Sequence, residues 1–144
     1  MVTAYNVADL FLKLSEPEVG DYISNLKLQK LVYYAQGFHL AIYNEPLFNE
    51  DIVAWEHGPV VPELYRVFKG HGSDVIPVPE DVDFSMFSEE QIDLVKEISE
   101  VYGQFSAWKL RNMTHSETPW LSTDRNEVID LDVMKEFFRT LVNE

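Results

Sequence analysis

The chain predicts a mainly α fold: a compact, single-domain helical bundle around one buried central helix, about 25–44, with a small β-hairpin at about 47–56. Three observations predict it. In NLKLQKLVYYAQGFHLAIYN, Leu28, Leu31, Val32, Ala35, Phe38 and Ile42 recur at helical steps, while Tyr33, Tyr34, Leu40, Ala41 and Tyr43 spread apolar surface around the other side. A helix that is apolar nearly all round belongs in a core. Hydrophobic residues make up 46% of the 144 positions, enough for one globular core and too many for a disordered chain. Beyond residue 44 the β-like runs are only a few residues long, too short to stand as a sheet of their own.

In chain order, Thr3 is placed to cap a first helix over 4–16, with Val7, Leu10, Phe11 and Leu14 inward and Pro17 as its stop. Gly20 and Asp21 connect it to the central helix, which Ser24 or Asn25 can cap. Gly37 lies inside that helix. A mid-helix glycine costs about 1 kcal/mol against alanine, so another backbone is expected to pass close by. Leu47-Phe48 and residues 52–55 read as two short strands around the turn Asn49-Glu50-Asp51. Pro62 suits the first turn of a helix over 61–69, which Gly70-His71-Gly72 ends.

Residues 73–87 form an ordered loop, and Ser88 with Gln91 makes a capping box for a helix to about 105. Leu94, Val95, Ile98, Val101 and Tyr102 share its apolar face. Ser106 caps a short helix over 107–114, residues 115–120 turn, and a last helix spans about 131–143. Val133 or Met134, with Phe137, Phe138 and Leu141, is its inner face.

Charge and composition exclude several functions. The net charge is -14, which repels phosphate backbones, so no direct nucleic-acid binding is expected. With no cysteine there is no disulfide, thiol nucleophile or thiolate metal site. Neither a leader nor an apolar run of membrane-spanning length is visible, so a cytoplasmic chain with no membrane partner is expected. Between Val78 and Gln104, eight acids (Glu80, Asp81, Asp83, Glu89, Glu90, Asp93, Glu97, Glu100) face one base, Lys96. That run is a solvated face or a docking face for a basic partner.

Little in the motifs speaks for catalysis. His39, His57, His71 and His115 show no metal-ligand spacing, and no phosphate loop or nucleophile elbow occurs. No catalytic residue, metal or cofactor is assigned. His57 and His115 sit at turns between elements, where a histidine fixes backbone by hydrogen bonds. Lys27 and Lys30 are the anomaly: two cations in the first turns of a helix, where the dipole disfavours them. With Tyr34 they share one helix side.

The ordered set Leu26-Lys27-Leu28-Gln29-Lys30-Leu31-Val32-Tyr33-Tyr34-Ala35-Gln36, Pro46-Leu47-Phe48, Ile52, Ala54-Trp55, His57-Gly58-Pro59-Val60, Tyr65, and Thr114-His115-Ser116-Glu117-Thr118-Pro119-Trp120 resembles the Panacea domain. This is the SocA-like antitoxin family, whose members are often described as phage-associated GepA-like proteins. The resemblance covers nearly the whole chain. It implies one mainly helical domain over 1–144 with a minor β element. It also implies an antitoxin that neutralises a cognate toxin by direct binding, or as an adaptor delivering it to an ATP-dependent protease, as part of a homo- or hetero-oligomer.

Partner contact is then expected at Lys27, Lys30, Tyr34, His57, Gly58, Pro59, Val60 and Tyr65. A structural role falls to Trp55, Thr114, His115, Pro119 and Trp120. Two other classes stay open: an inhibitor whose acidic face mimics nucleic acid, and a hydrolase using His57, His115 and an acid.

Overall fold

A computed structural model of the chain describes residues 1–142. The order is α1 (Ala4–Leu14), α2 (Asn25–Tyr43), β1 (Val53–Trp55), β2 (Gly58–Val60), α3 (Pro62–Phe68), α4 (Glu89–Tyr102), α5 (Ala107–His115), α6 (Thr118–Leu121) and α7 (Leu131–Val142). The mainly helical fold with one antiparallel hairpin is the one the periodicity predicts. None of the described helices is long and apolar enough to cross a membrane.

Local chemistry sets the helix starts. Thr3 Oγ1 accepts from Asn6 N–H while Asn6 Oδ1 accepts from Thr3 N–H, a reciprocal cap on α1. Ser24 caps α2, Ser88 and Gln91 form the box on α4, and Ser106 caps α5. α1 stops two residues early, because Ser15 turns extended and its hydroxyl donates to Leu12 O at 2.6 Å. α4 likewise ends at Tyr102, with Gly103 and Gln104 in a turn.

α2 is the axis. Leu28, Leu31, Val32, Tyr33, Tyr34 and Ala35 are buried, and α1, α4, α5 and α7 pack on it. Ile42, expected on the apolar face, is exposed, because the last turn of α2 runs past the core to a left-handed end at Asn44. The glycine notch at Gly37 is real, but a side chain fills it. The Phe138 ring of α7 lies where a Cβ would be, and no neighbouring backbone does. Only Met134 and Phe138 of α7 are fully buried, with Phe137 and Leu141 half-buried at the rim; Asn143 lies outside the described residues.

The hairpin exists but is displaced along the chain. Leu47-Phe48 is not a strand. The Gln36 side chain of α2 takes up its backbone: Oε1 accepts from Leu47 N–H at 2.7 Å and Nε2 donates to Phe48 O at 2.8 Å. The ladder instead pairs Val53 with Val60, Ala54 with Pro59 and Trp55 with Gly58, around a tip at Glu56-His57. Gly58 sits at φ 111, a conformation that favours glycine. On the outer edge of β1, Asn126 N–H donates to Ala54 O and Ile129 N–H to Ile52 O. Pro119 opens the four-residue α6 where the sequence reads as a plain turn, because proline at the first turn of a helix gives up no needed N–H.

Candidate functional site

The polar residues of α2 determine where the site lies. Asn25, Lys27, Gln29, Lys30, Gln36 and His39 are all buried, and each bonds backbone belonging to another segment. Asn25 Nδ2 donates to Tyr65 O, Gln29 Oε1 accepts from Val61 N–H, and His39 Nδ1 lies 2.7 Å from Glu45 O. Lys27 Nζ donates to Gly103 O at 2.6 Å and Lys30 Nζ to Pro59 O at 3.1 Å. Among the described residues no buried side-chain nitrogen or oxygen lacks a partner, as the cost of an orphaned polar group requires.

These bonds settle where the two lysines go. Neither meets a carboxylate, and neither lies on a surface. Lys30 is fully buried beneath the hairpin, with Gly58 and Thr114 against its end. A Cβ on Gly58 would stand 2.8 Å from Thr114 Oγ1 and 2.9 Å from Lys30 Cε, so both neighbours require glycine there. Burial, aided by the Arg111 charge, pulls the Lys30 ammonium down to about 7. Burial lowers Lys27 too, with Asp21 opposing. As an exposed positive island for a partner, Lys27, Lys30 and Tyr34 therefore fail on geometry: all three are inside.

A second charge site, half-buried, lies where α6 begins. Glu117 accepts Tyr33 Oη–H at 3.0 Å and Tyr34 Oη–H at 2.8 Å, one on each carboxylate oxygen. Tyr102 stacks on Tyr34 at 4.2 Å. Burial raises the Glu117 carboxyl to about 7 against the two tyrosine bonds, and burial followed by the Glu117 charge raises both tyrosines. Nothing in a T-H-x-x-x-P-W pattern marks Glu117 as half-buried, since a lone glutamate reads as surface.

At the hairpin tip the structural-motif residues do meet. His115 Nδ1 lies 2.7 Å from Arg111 O and Nε2 2.7 Å from Glu56 O, clasping α5 to the tip. Its ring packs on Trp120, whose Nε1–H donates to Trp55 O at 2.7 Å. Thr114 Oγ1–H donates to Arg111 O. His57, exposed at the tip, accepts from Arg111 Nε–H at 3.2 Å. So His57 and His115 come together through Arg111. Neither bonds an acid: the nearby Glu117 carboxylate is held by the tyrosines. Among the described residues no group of three or more His, Asp or Glu is placed to hold a metal.

Next to the tip a cleft of about 590 Å³ opens, lined in part by Leu26, Trp55, His57, Val60 and Tyr65. The expected partner residues thus divide. His57 is on the surface and Tyr65 half-exposed at the cleft, Val60 forms part of its wall, and Gly58 and Pro59 are buried behind the tip. The family model described as "Antitoxin SocA-like, Panacea domain" matches residues 28–121. The chain belongs to the SocA-like Panacea family.

The Panacea match takes in Lys30, the hairpin, α5 and Trp120, and leaves out Lys27 and all of α7. Among curated proteins, Antitoxin SocA of Caulobacter vibrioides (strain NA1000 / CB15N) is 48% identical over 54 residues, which is 38% of this chain and 29% of that protein. The match therefore spans less than a third of that relative. No solved structure matches the chain. Two surface residues of this Panacea fold went unread in the sequence, Trp108 and Arg111, which lie one to two turns before His115 on α5.

Proposed function

We propose that this chain is an antitoxin that neutralises a cognate toxin by direct protein–protein binding, with the hairpin tip and the adjoining cleft as its docking face. The carrying observation is the family match over 28–121. The face itself suits the role. Trp55, Tyr65 and Trp108 supply aromatic anchors of the kind that dominate binding energies, and Lys30, His115 and Trp120 hold the backbone around them. A rigid surface loses little entropy on docking. Neutralisation is by occupancy, one chain to one toxin, and no reaction is required of the histidines.

Delivery of the bound toxin to an ATP-dependent protease is compatible with such a complex, and the chain meets both partners in the cytoplasm. The test is co-expression with the protein encoded beside it. Rescue of growth and a stoichiometric complex are expected; absence of both sinks the reading. Titration of purified components separates binding from turnover: a chain that silences many equivalents of toxin, with no protease present, is an enzyme.

A further inference from the structure

We infer that the outer face of α5 is a receptor for a carboxylate on the partner, and that the Arg111 guanidinium is the group that takes it. The inference rests on the antitoxin reading for the identity of the partner, not for the site. In a chain of net charge -14, a guanidinium fixed in place without a carboxylate is free to take one from outside. Arg111 is such a group. Its Nε–H donates to His57 Nδ1 at 3.2 Å, its Nη1–H to Asn112 Oδ1 at 3.0 Å, and its carbon lies 4.4 Å from the centre of the Trp108 ring. His57, Asn112 and Trp108, none of them an acid, fix its plane. Among the described residues the one ion pair is Lys135–Asp132, so no carboxylate answers Arg111.

Fixing a guanidinium in advance removes most of the entropy cost of a forked bond to a carboxylate. Among the described residues its second terminal nitrogen has no hydrogen-bond partner. Trp108 is 57% exposed beside it, and an exposed Trp–Arg pair is the usual composition of a binding hot spot. The surroundings agree in sign. From Phe105 to Ser116 there are Lys109 and Arg111 and not one acid, against the eight acids of the preceding stretch. Arg125 repeats the device, its guanidinium 3.7 Å over Trp120 and held by Trp120 O and Thr123 O.

An arginine on an indole also suits single-stranded nucleic acid. Two observations favour the carboxylate: the charge of the whole chain repels a phosphate backbone, and Arg111 already covers one face of the indole on which a base would stack.

The test follows the Trp108 indole and Arg111 Nε–H signals by NMR. The 15N-labelled chain is titrated with blocked hexaglutamate, blocked hexalysine and an oligothymidylate of equal length. Hexaglutamate is expected to move both signals saturably, hexalysine and the oligonucleotide to leave them in place. Arg111→Glu should abolish the effect, and Arg111→Lys, which keeps charge but loses the fork, should weaken it about tenfold. No saturable shift with hexaglutamate overturns the inference, as does an undiminished one in Arg111→Glu. A tighter response to the oligonucleotide overturns it in favour of nucleic acid.

The neighbour-encoded protein supplies the second arm. If it binds wild type and Arg111→Glu with one Kd, the carboxylate site is wrong and the antitoxin reading stands. If it does not bind wild type while hexaglutamate still does, the antitoxin reading is wrong and the site stands.

Discussion

α2 and α4 are neighbours in the bundle and handle polarity in opposite ways. On α2, Lys27, Gln29, Lys30 and Gln36 are buried, and each bonds the backbone of another segment. On α4, Glu89, Glu90, Asp93, Glu97 and Glu100 are all exposed, and among the described residues none has a side-chain hydrogen bond or ion pair. The few polar groups that leave water hold the irregular segments in place, while the large charge sets only the long-range field. Net charge is therefore a poor guide to which polar residues matter.

The sharpest way to break that comparison is Gln36→Leu. Its amide satisfies Leu47 N–H, Phe48 N–H and Phe48 O, so the substitution orphans buried backbone and should cost about 3 kcal/mol in urea unfolding. Glu90→Ala on α4 should change stability by less than about 0.5 kcal/mol. A cost below about 1 kcal/mol for Gln36→Leu would erase the distinction.

Buried Lys30 and half-buried Glu117 give opposite pH signatures. Lys30 titrates at about 7 folded against 10.5 otherwise. Between those values the unfolded chain holds more protons, so stability climbs with pH from about 7 to 10.5 and the gain is lost as pH falls through 7. Lys30→Met should flatten that limb, although the lowered Lys27 leaves part of it. Glu117 titrates at about 7 folded against 4.5 otherwise. Here the folded chain holds more protons, so its contribution is full below 4.5 and is lost as pH rises through 7. Glu117→Gln should remove a slope of up to about 1.4 kcal/mol per pH unit between 4.5 and 7. Thermal unfolding across pH 4 to 10 checks both; a slope that survives its own substitution assigns it to another group.

The smallest effect is expected on α4. Glu89→Gln, Glu90→Gln, Asp93→Asn and Glu97→Gln together should leave toxin affinity within about twofold and cost only the helix-dipole term of the first turn, about 1 kcal/mol at most. A large drop in affinity that salt mimics would move the docking face to α4 and revive the acidic-mimic reading.

How far the sequence could be read follows from the range of each interaction. Helices and caps were legible because their determinants lie within four residues: Thr3 with Asn6, Ser88 with Gln91. The hairpin register was not, because the backbone of Leu47-Phe48 is satisfied by Gln36, a side chain from another element. The lysines of α2 stood out as misplaced charge, but that they point inward depends on carbonyls at Pro59 and Gly103. Of the candidate docking face, His57 and Tyr65 were legible from the family pattern. Trp108 and Arg111 were not, since an ordinary surface helix carries the same residues, and only the folded chain shows the guanidinium fixed by His57 and Asn112 against an exposed indole.

The ring at Gly37 bears on the order in which the molecule is made. The notch is created in the first third of the chain, and the group that closes it, Phe138, is synthesised about a hundred residues later. Until then Tyr33, Tyr34 and Phe38, the aromatic neighbours of that ring, lack their cover. Closing so long a loop has an entropic cost that only the completed chain can repay. The nascent chain should therefore remain open to chaperones and proteases throughout its elongation, with final consolidation deferred until translation has passed α7.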